Sequence, residues 1–201
     1  MSSSSVVVGE DGRGRCAWAT GGSDDLYLRY HDEEWGTPVH GDQALFEKIS
    51  LEAFQAGLSW ITILRRRETF RTAFAGFEID RVATFDDRDV ERLMADPGII
   101  RNRAKVEATI SNARVARALL AEHPGALEDL LWGFAPARRT APPASFAEVP
   151  ATTPESVAAS KALKKLGFRF VGPTTVYALM QALGIVDDHV AGCWRAGASA
   201  A

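Results

Sequence analysis

The stretch "LKKLGFRFVGPTTVYALMQALG", residues 163–184, decides the fold. It reads as a helix, a tight turn containing Gly167 and Gly172, and a second helix. Two glycines in such a turn let backbone N–H groups come close to an anion. The N-terminus of the second helix adds partial positive charge. Lys161, Lys164, Lys165 and Arg169 crowd the same place, which fits a grip on a phosphate backbone. The plain alternative is a helical hairpin with a solvated basic face.

Outward from this hairpin, helical periodicity dominates and no strand pattern stands out. In "DQALFEKISLEAFQAG", Leu45, Ile49, Ala53 and Ala56 share a face, with Asp42 placed to cap the start and Gly57 to end the helix. "SWITILRRRETFRTAF" turns Trp60, Ile63, Leu64, Phe70 and Phe74 inward, with Ser59 as cap. Two short helical pieces end at Pro97-Gly98. A long helix is predicted from about Asn102 to Glu122, burying Val106, Ile110, Ala113, Ala116 and Leu119. "APARRTAPPASFAEVPAT" is an irregular surface loop, and "TPESVAASKALKKLG" is the helix that enters the hairpin.

Composition sets the bounds. The chain has 201 residues, 46% hydrophobic and 24% charged, as expected of one globular unit. A chain of this size buries roughly 70% of its unfolded surface and needs no staple merely to fold. The net charge of -3 gives no global attraction to nucleic acid, so any polyanion must be met by local basic patches, including Arg65–Arg67 and the Arg101, Arg103, Lys105 group. No apolar run is long enough for a membrane span. The start, "MSSSSVVVGEDGRGR", lacks the basic region of a secretory signal. Residues 1–14 and 196–201 read as flexible tails flanking a single unit over 15–195. A cytoplasmic monomer follows, in which a structural disulfide is not expected.

The chain has only two cysteines, Cys16 and Cys193, and each lies near a histidine, His31 and His189. His189 and Cys193 are four apart, so on a helix they would share a face. A set of two thiolates and two imidazoles suits tetrahedral zinc, closed and structural. Buried free cysteines beside unrelated histidines remain the alternative. A second constellation joins "YHDEEWG" (30–36) to "SLEAFQAGLSWITIL" (50–64). Glu52 sits in a small and apolar segment, where a carboxylate needs a partner or a hydrogen-bond-donating ligand. Trp18, Tyr30, Trp35 and Trp60 supply flat faces for a planar or cationic ligand. Core aromatics beside a surface glutamate would look the same.

The blocks "YHDEEWG", "LEAFQAGLSWITIL", "GIIRNRAKVEA", "SKALKKLGFRFVGPTT" and "DDHVAGC" occur in an order and at separations that resemble the constitutive type I DNA-3-methyladenine glycosylases. The resemblance covers nearly the whole chain. It implies an all-α helix-hairpin-helix fold with two helical lobes around a cleft. It implies structural zinc on Cys16, His31, His189 and Cys193, and base recognition by Tyr30, Glu52 and Trp60 with Trp18 as a further wall. It puts Gln55, Gly57 and Leu58 in a plug that fills the gap left by a flipped nucleotide. Lys164, Arg169, Gly172 and Thr174 would contact duplex DNA carrying alkylated adenine. Where bifunctional relatives carry a hairpin lysine nucleophile, this chain reads Pro173-Thr174-Thr175, which implies no lyase step. Asp187 stands where many superfamily relatives keep a catalytic aspartate. It is a candidate for stabilising charge at the sugar, or a cap for a helix carrying His189 and Cys193. A damage-binding module without catalysis, or a glycosylase shifted to other N3-alkyl purines, would share most of these features.

Overall fold

The computed structural model describes residues 4–21 and 25–197. Within them a short strand pair precedes ten α-helices. Strands β1 (Val6–Val8) and β2 (Gly14–Cys16) run antiparallel, with Val6 opposite Cys16. The helices are α1 (Leu26–Glu33), α2 (Asp42–Gln55), α3 (Trp60–Leu64), α4 (Arg67–Ala73), α5 (Ile79–Ala83), α6 (Asp87–Ala95), α7 (Arg103–Glu122), α8 (Ala126–Trp132), α9 (Pro154–Leu166) and α10 (Pro173–Ala182). Among the described residues no helix is long and apolar enough to cross a membrane.

The all-α expectation holds, and the apolar residues divide into two clusters. The main core draws Leu45, Ile49 and Phe54 from α2, Phe70 from α4, Val106 and Ile110 from α7, and Leu163, Val176 and Met180 from the hairpin helices. A smaller cluster gathers Cys16, Tyr30, Trp35, Leu64, Val190 and Cys193, residues from both ends of the chain. Trp60 packs against both clusters. The indole therefore sits where the two clusters meet.

The decisive hairpin forms for local reasons. Thr153 and Ser156 exchange side-chain to backbone hydrogen bonds at the start of α9, and Pro154 fills the first helical position. The helix stops at Gly167, whose φ of 103° lies in the left-handed region. Gly172 precedes Pro173, which starts α10.

Four expectations need correction. Residues 6–8 and Gly14 belong to a strand pair rather than a flexible tail, because their backbone groups pair with each other; residues 1–3 and 198–201 lie outside the described residues. Gly14 approaches the C-terminal segment so closely that a Cβ there would meet Gly192 O at 2.3 Å, and Trp194 N–H donates to Gly14 O at 2.8 Å. Asp42 does not cap its own helix. Its carboxylate reaches across to accept from the N–H groups of Gly125, Leu127 and Glu128 at the start of α8, where unpaired donors favour an anion. The segment after Ser59 is two helices, α3 and α4, and the Ser59 hydroxyl bonds the Thr62 side chain instead of a backbone N–H. Finally, His189 and Cys193 lie in irregular turns and not on a helix.

Candidate active site and metal centre

The pocket candidates come from three consecutive elements. Helix α1 carries Tyr30, α2 carries Glu52 and α3 begins with Trp60. A short turn separates α2 from α3. The Tyr30 and Trp60 rings lie 5.4 Å apart at 47°, and Trp18 stands 6.4 Å from Tyr30. Glu52 is only 4% exposed. The carboxylate that the sequence sets in a small and apolar segment is inside the protein. Burial pushes its carboxyl up to about 8, against the pull of the Lys48 charge. Burial and then the Glu52 charge drive the Tyr30 phenol well above its ordinary range. The Trp60 Nε1–H is buried and makes no hydrogen bond. The site therefore holds a desolvated acid, an unpartnered indole donor and flat rings, a set that matches a planar hydrogen-bonding ligand able to carry positive charge.

Lys48 is a neighbour the sequence reading passed over. It lies one helical turn before Glu52, with its ammonium 5.7 Å from the Tyr30 ring centroid. Glu34 holds it, at 3.4 Å, together with Arg67 at 2.5 Å. The spacing of four on α2 was the available signal.

The metal candidates also converge. Ligand atoms of Cys16, His31 and Cys193 lie within 4.8 Å of one another, and all three residues are buried. Both cysteines are free thiols. The hydrogen bond between them raises the Cys16 thiol and lowers that of Cys193. His31 gives Nδ1 to Asp32 at 2.8 Å, and its Nε2 faces the Cys193 sulfur at 3.3 Å. His189 gives Nδ1 to Asp187 at 2.8 Å, while its Nε2 is buried with no partner. A carboxylate can only accept, so each Nδ1 carries the proton and each Nε2 keeps a lone pair. The two thiols and the His31 imidazole could hold a metal ion. His189 lies outside that close group, its ring 5.1 Å from that of His31.

The carboxylates behind the histidines are themselves held. Burial pushes the Asp32 carboxyl up, but hydrogen bonds from Arg15, His31 and Trp194 outweigh it and keep the group ionised below its ordinary range. For Asp187 burial is likewise outweighed, by His189 and the Gly197 N–H. Asp187 thus bonds the His189 ring and backbone, and no helix follows it to be capped. Asp188, next to it, is buried and accepts from Arg139, Tyr177 and Gln181.

The DNA candidates lie on the surface. Leu58 is exposed at 41% although apolar, and Gly57 beside it is exposed too. Gln55, at the end of α2, is half-buried. Lys164, Arg169 and Thr174 are exposed at the hairpin, with Gly172 half-buried between them. The Arg101, Arg103, Lys105 group is not one basic patch. Arg103 pairs with Glu91 and Glu107, and Lys105 is buried.

Known proteins similar to this chain are described as methyladenine glycosylases. A family model described as methyladenine glycosylase matches residues 18–196. The Escherichia coli K12 protein DNA-3-methyladenine glycosylase 1 is 47% identical over 180 residues, which cover 89% of this chain and 95% of that protein. A crystal structure of 3-methyladenine DNA glycosylase I superposes with a TM-score of 0.85 at 46% identity, covering 90% of this chain and 98% of the other. A second crystal structure is of a variant of 3-methyladenine DNA glycosylase I in complex with 3-methyladenine. It is 34% identical with a TM-score of 0.81, covering 88% of this chain and 95% of the other.

Proposed function

The chain belongs to the methyladenine glycosylase family, and on that premise we propose that it hydrolyses the N-glycosidic bond of 3-methyladenine in alkylated duplex DNA. The observation that carries this reading is the burial of Glu52 close to Tyr30, whose ring packs against Trp60. N3-alkylated adenine is a cation, so its glycosidic bond is already weakened. Extrusion of the nucleotide loses stacking, which the Trp60 face restores. Glu52 accepts from the edge of the base, and the cation supplies the counter-charge that burial denies the empty carboxylate. Tyr30 and Trp18 complete the wall. Gln55, Gly57 and Leu58 fill the vacated gap. As the C1′–N9 bond breaks, its electron pair neutralises the base. Water supplies hydroxide to C1′ and gives up a proton, leaving an abasic site. The position just after Gly172 carries Pro173-Thr174-Thr175 and no lysine, in keeping with a monofunctional enzyme.

Free 3-methyladenine released from methylated duplex by the purified wild-type chain is the test. Retention of the lesion with intact DNA binding would favour a damage-binding module; release of other N3-alkyl purines in preference would favour shifted specificity.

Cys16, His31, His189 and Cys193 would hold one zinc, which supplies structure and no reactive water because all four positions are taken. It would fasten the first and last segments of the chain and fix Tyr30 through its neighbour His31. Paired thiols in this role suit the reducing cytoplasm. Asp187 is better read as the residue that orients His189 than as a group at the sugar, since both its oxygens are engaged. Asp187→Asn is expected to leave single-turnover excision within about threefold while weakening metal retention roughly tenfold. A slower excision with metal content intact would return Asp187 to the chemistry.

At the hairpin, Lys164, Arg169, Gly172 and Thr174 would grip phosphates of a duplex bound by one monomer. Lys164→Ala or Arg169→Ala should weaken binding to every DNA sequence about equally and reduce the slope of log affinity against log salt by about one. A loss confined to lesion-bearing duplex contradicts this.

A further inference from the structure

Two turns proposed to touch DNA lie more than a hundred positions apart, yet both are tied to the same face of one helix. Lys105, in the first turn of α7, is 7% exposed. Its ammonium donates to Phe54 O at 2.8 Å and to Ala56 O at 2.6 Å. Those are carbonyls at the end of α2, where the helix has no further N–H groups to offer and a cation is favoured. The plug turn begins there, closed by Leu58 N–H on Gln55 O at 2.6 Å. Two helical turns further along α7, Asn112 is 1% exposed. Its amide nitrogen donates to Arg169 O at 3.1 Å, and its Oδ1 accepts from Arg169 N–H at 2.8 Å. That closed pair of bonds holds the middle of the hairpin turn, and Ser160 Oγ–H adds a bond to Val171 O at 2.6 Å.

Residues seven apart on an α-helix share a face and lie about 10 Å from each other along the axis. We propose that α7 is a bracket that fixes the separation of the plug from the phosphate grip, with Lys105 and Asn112 as its two positioning residues. A plug that enters the duplex at a flipped nucleotide must do so at a set distance from the held backbone. A rigid helix with buried polar side chains provides that distance, whereas the turns themselves have few internal bonds. Neither residue reaches the reacting atoms, so neither is catalytic.

The inference rests on the glycosylase reading, and the two fail differently. Amide hydrogen exchange, undamaged-duplex affinity, free 3-methyladenine affinity and single-turnover excision are to be measured on the full chain. In Asn112→Ala, exchange should quicken about tenfold or more at residues 167–172 only, and duplex affinity should fall roughly tenfold. In Lys105→Met, exchange should quicken at residues 55–59 only, and excision should slow about tenfold or more, with undamaged-duplex affinity within about threefold. Free-base affinity should stay within about twofold in both, because the pocket walls stand on other contacts. If Asn112→Ala does not fold, Asn112→Asp replaces it, keeping the acceptor and losing the donor; Lys105→Arg replaces Lys105→Met in the same way, and smaller changes in the same places are expected. A wild type that releases no 3-methyladenine removes the glycosylase reading and leaves the exchange result as the measure of the bracket. With an active wild type, the bracket is overturned if exchange rises across the whole chain, if it stays unchanged at the two turns, or if the turns loosen while binding and excision hold.

Discussion

Glu52→Gln should make the protein more stable above pH 6 and nearly inactive. The wild-type carboxyl is pushed by burial to about 8 from an ordinary value of 4.5. In the unfolded chain it ionises near the ordinary value. Between those two points the folded state holds a proton that the unfolded state has released, so stability falls as pH rises. The favourable contribution is complete below pH 4.5 and gone once pH passes about 8. Each pKa unit corresponds to about 1.4 kcal/mol, so the wild type gives up on the order of 5 kcal/mol over this window. Glutamine does not titrate. The melting temperatures of the two proteins should therefore nearly coincide at pH 4.5 and separate progressively towards pH 8, the variant being higher. Excision of 3-methyladenine by the variant should fall about a hundredfold or more, because a buried charge opposite a cationic base is lost. A gap in melting temperature that does not change with pH would show that the carboxyl is not desolvated as described. A stabilised variant with full activity would remove Glu52 from recognition. The combination expected, a gain in stability with a loss of function, is the mark of a site whose charge is retained for its ligand.

The second large effect concerns the chain ends. Cys193→Ser removes one of three candidate ligands from a buried cluster that joins the N-terminal strand pair to the C-terminal segment. A structural metal contributes folding free energy directly. A loss of roughly 4 kcal/mol would lower the melting temperature of a chain this long by about 8–16 °C. The wild type should carry about one zinc per chain, and a strong chelator should lower its melting temperature towards that of the variant. Residual excision by Cys193→Ser, scaled to the folded fraction, is expected to be near that of the wild type. A variant that melts like the wild type but does no chemistry would place the cysteine in the reaction instead.

Parts of this molecule were legible in its sequence because the signals are local. The 3.6-residue period set most helices, and the glycines of the turn marked the hairpin between α9 and α10. Cys16, His31 and Cys193 could be grouped from residue type and position, since few side chains suit a soft cation, and the structure brings them together. Glu52 could be singled out because a carboxylate in an apolar run demands an explanation.

What tertiary structure alone decided is where polar groups find their partners across long stretches of chain. Asp42 has the sequence context of a cap for its own helix, yet it caps α8, because that helix start packs within reach and has nothing else to offer it. Lys105 looked like surface charge until the end of α2 closed over it. Asn112 is an ordinary polar residue in an amphipathic helix until the hairpin backbone comes to rest against its amide. The strands near the N-terminus are too short to show a period; they pair with each other, and the C-terminal segment lies against Gly14. Local pattern fixes which elements form, since backbone sterics and apolar spacing act over a few residues. The pairing of buried polar atoms depends on distances between elements, and those are set only when the core has packed.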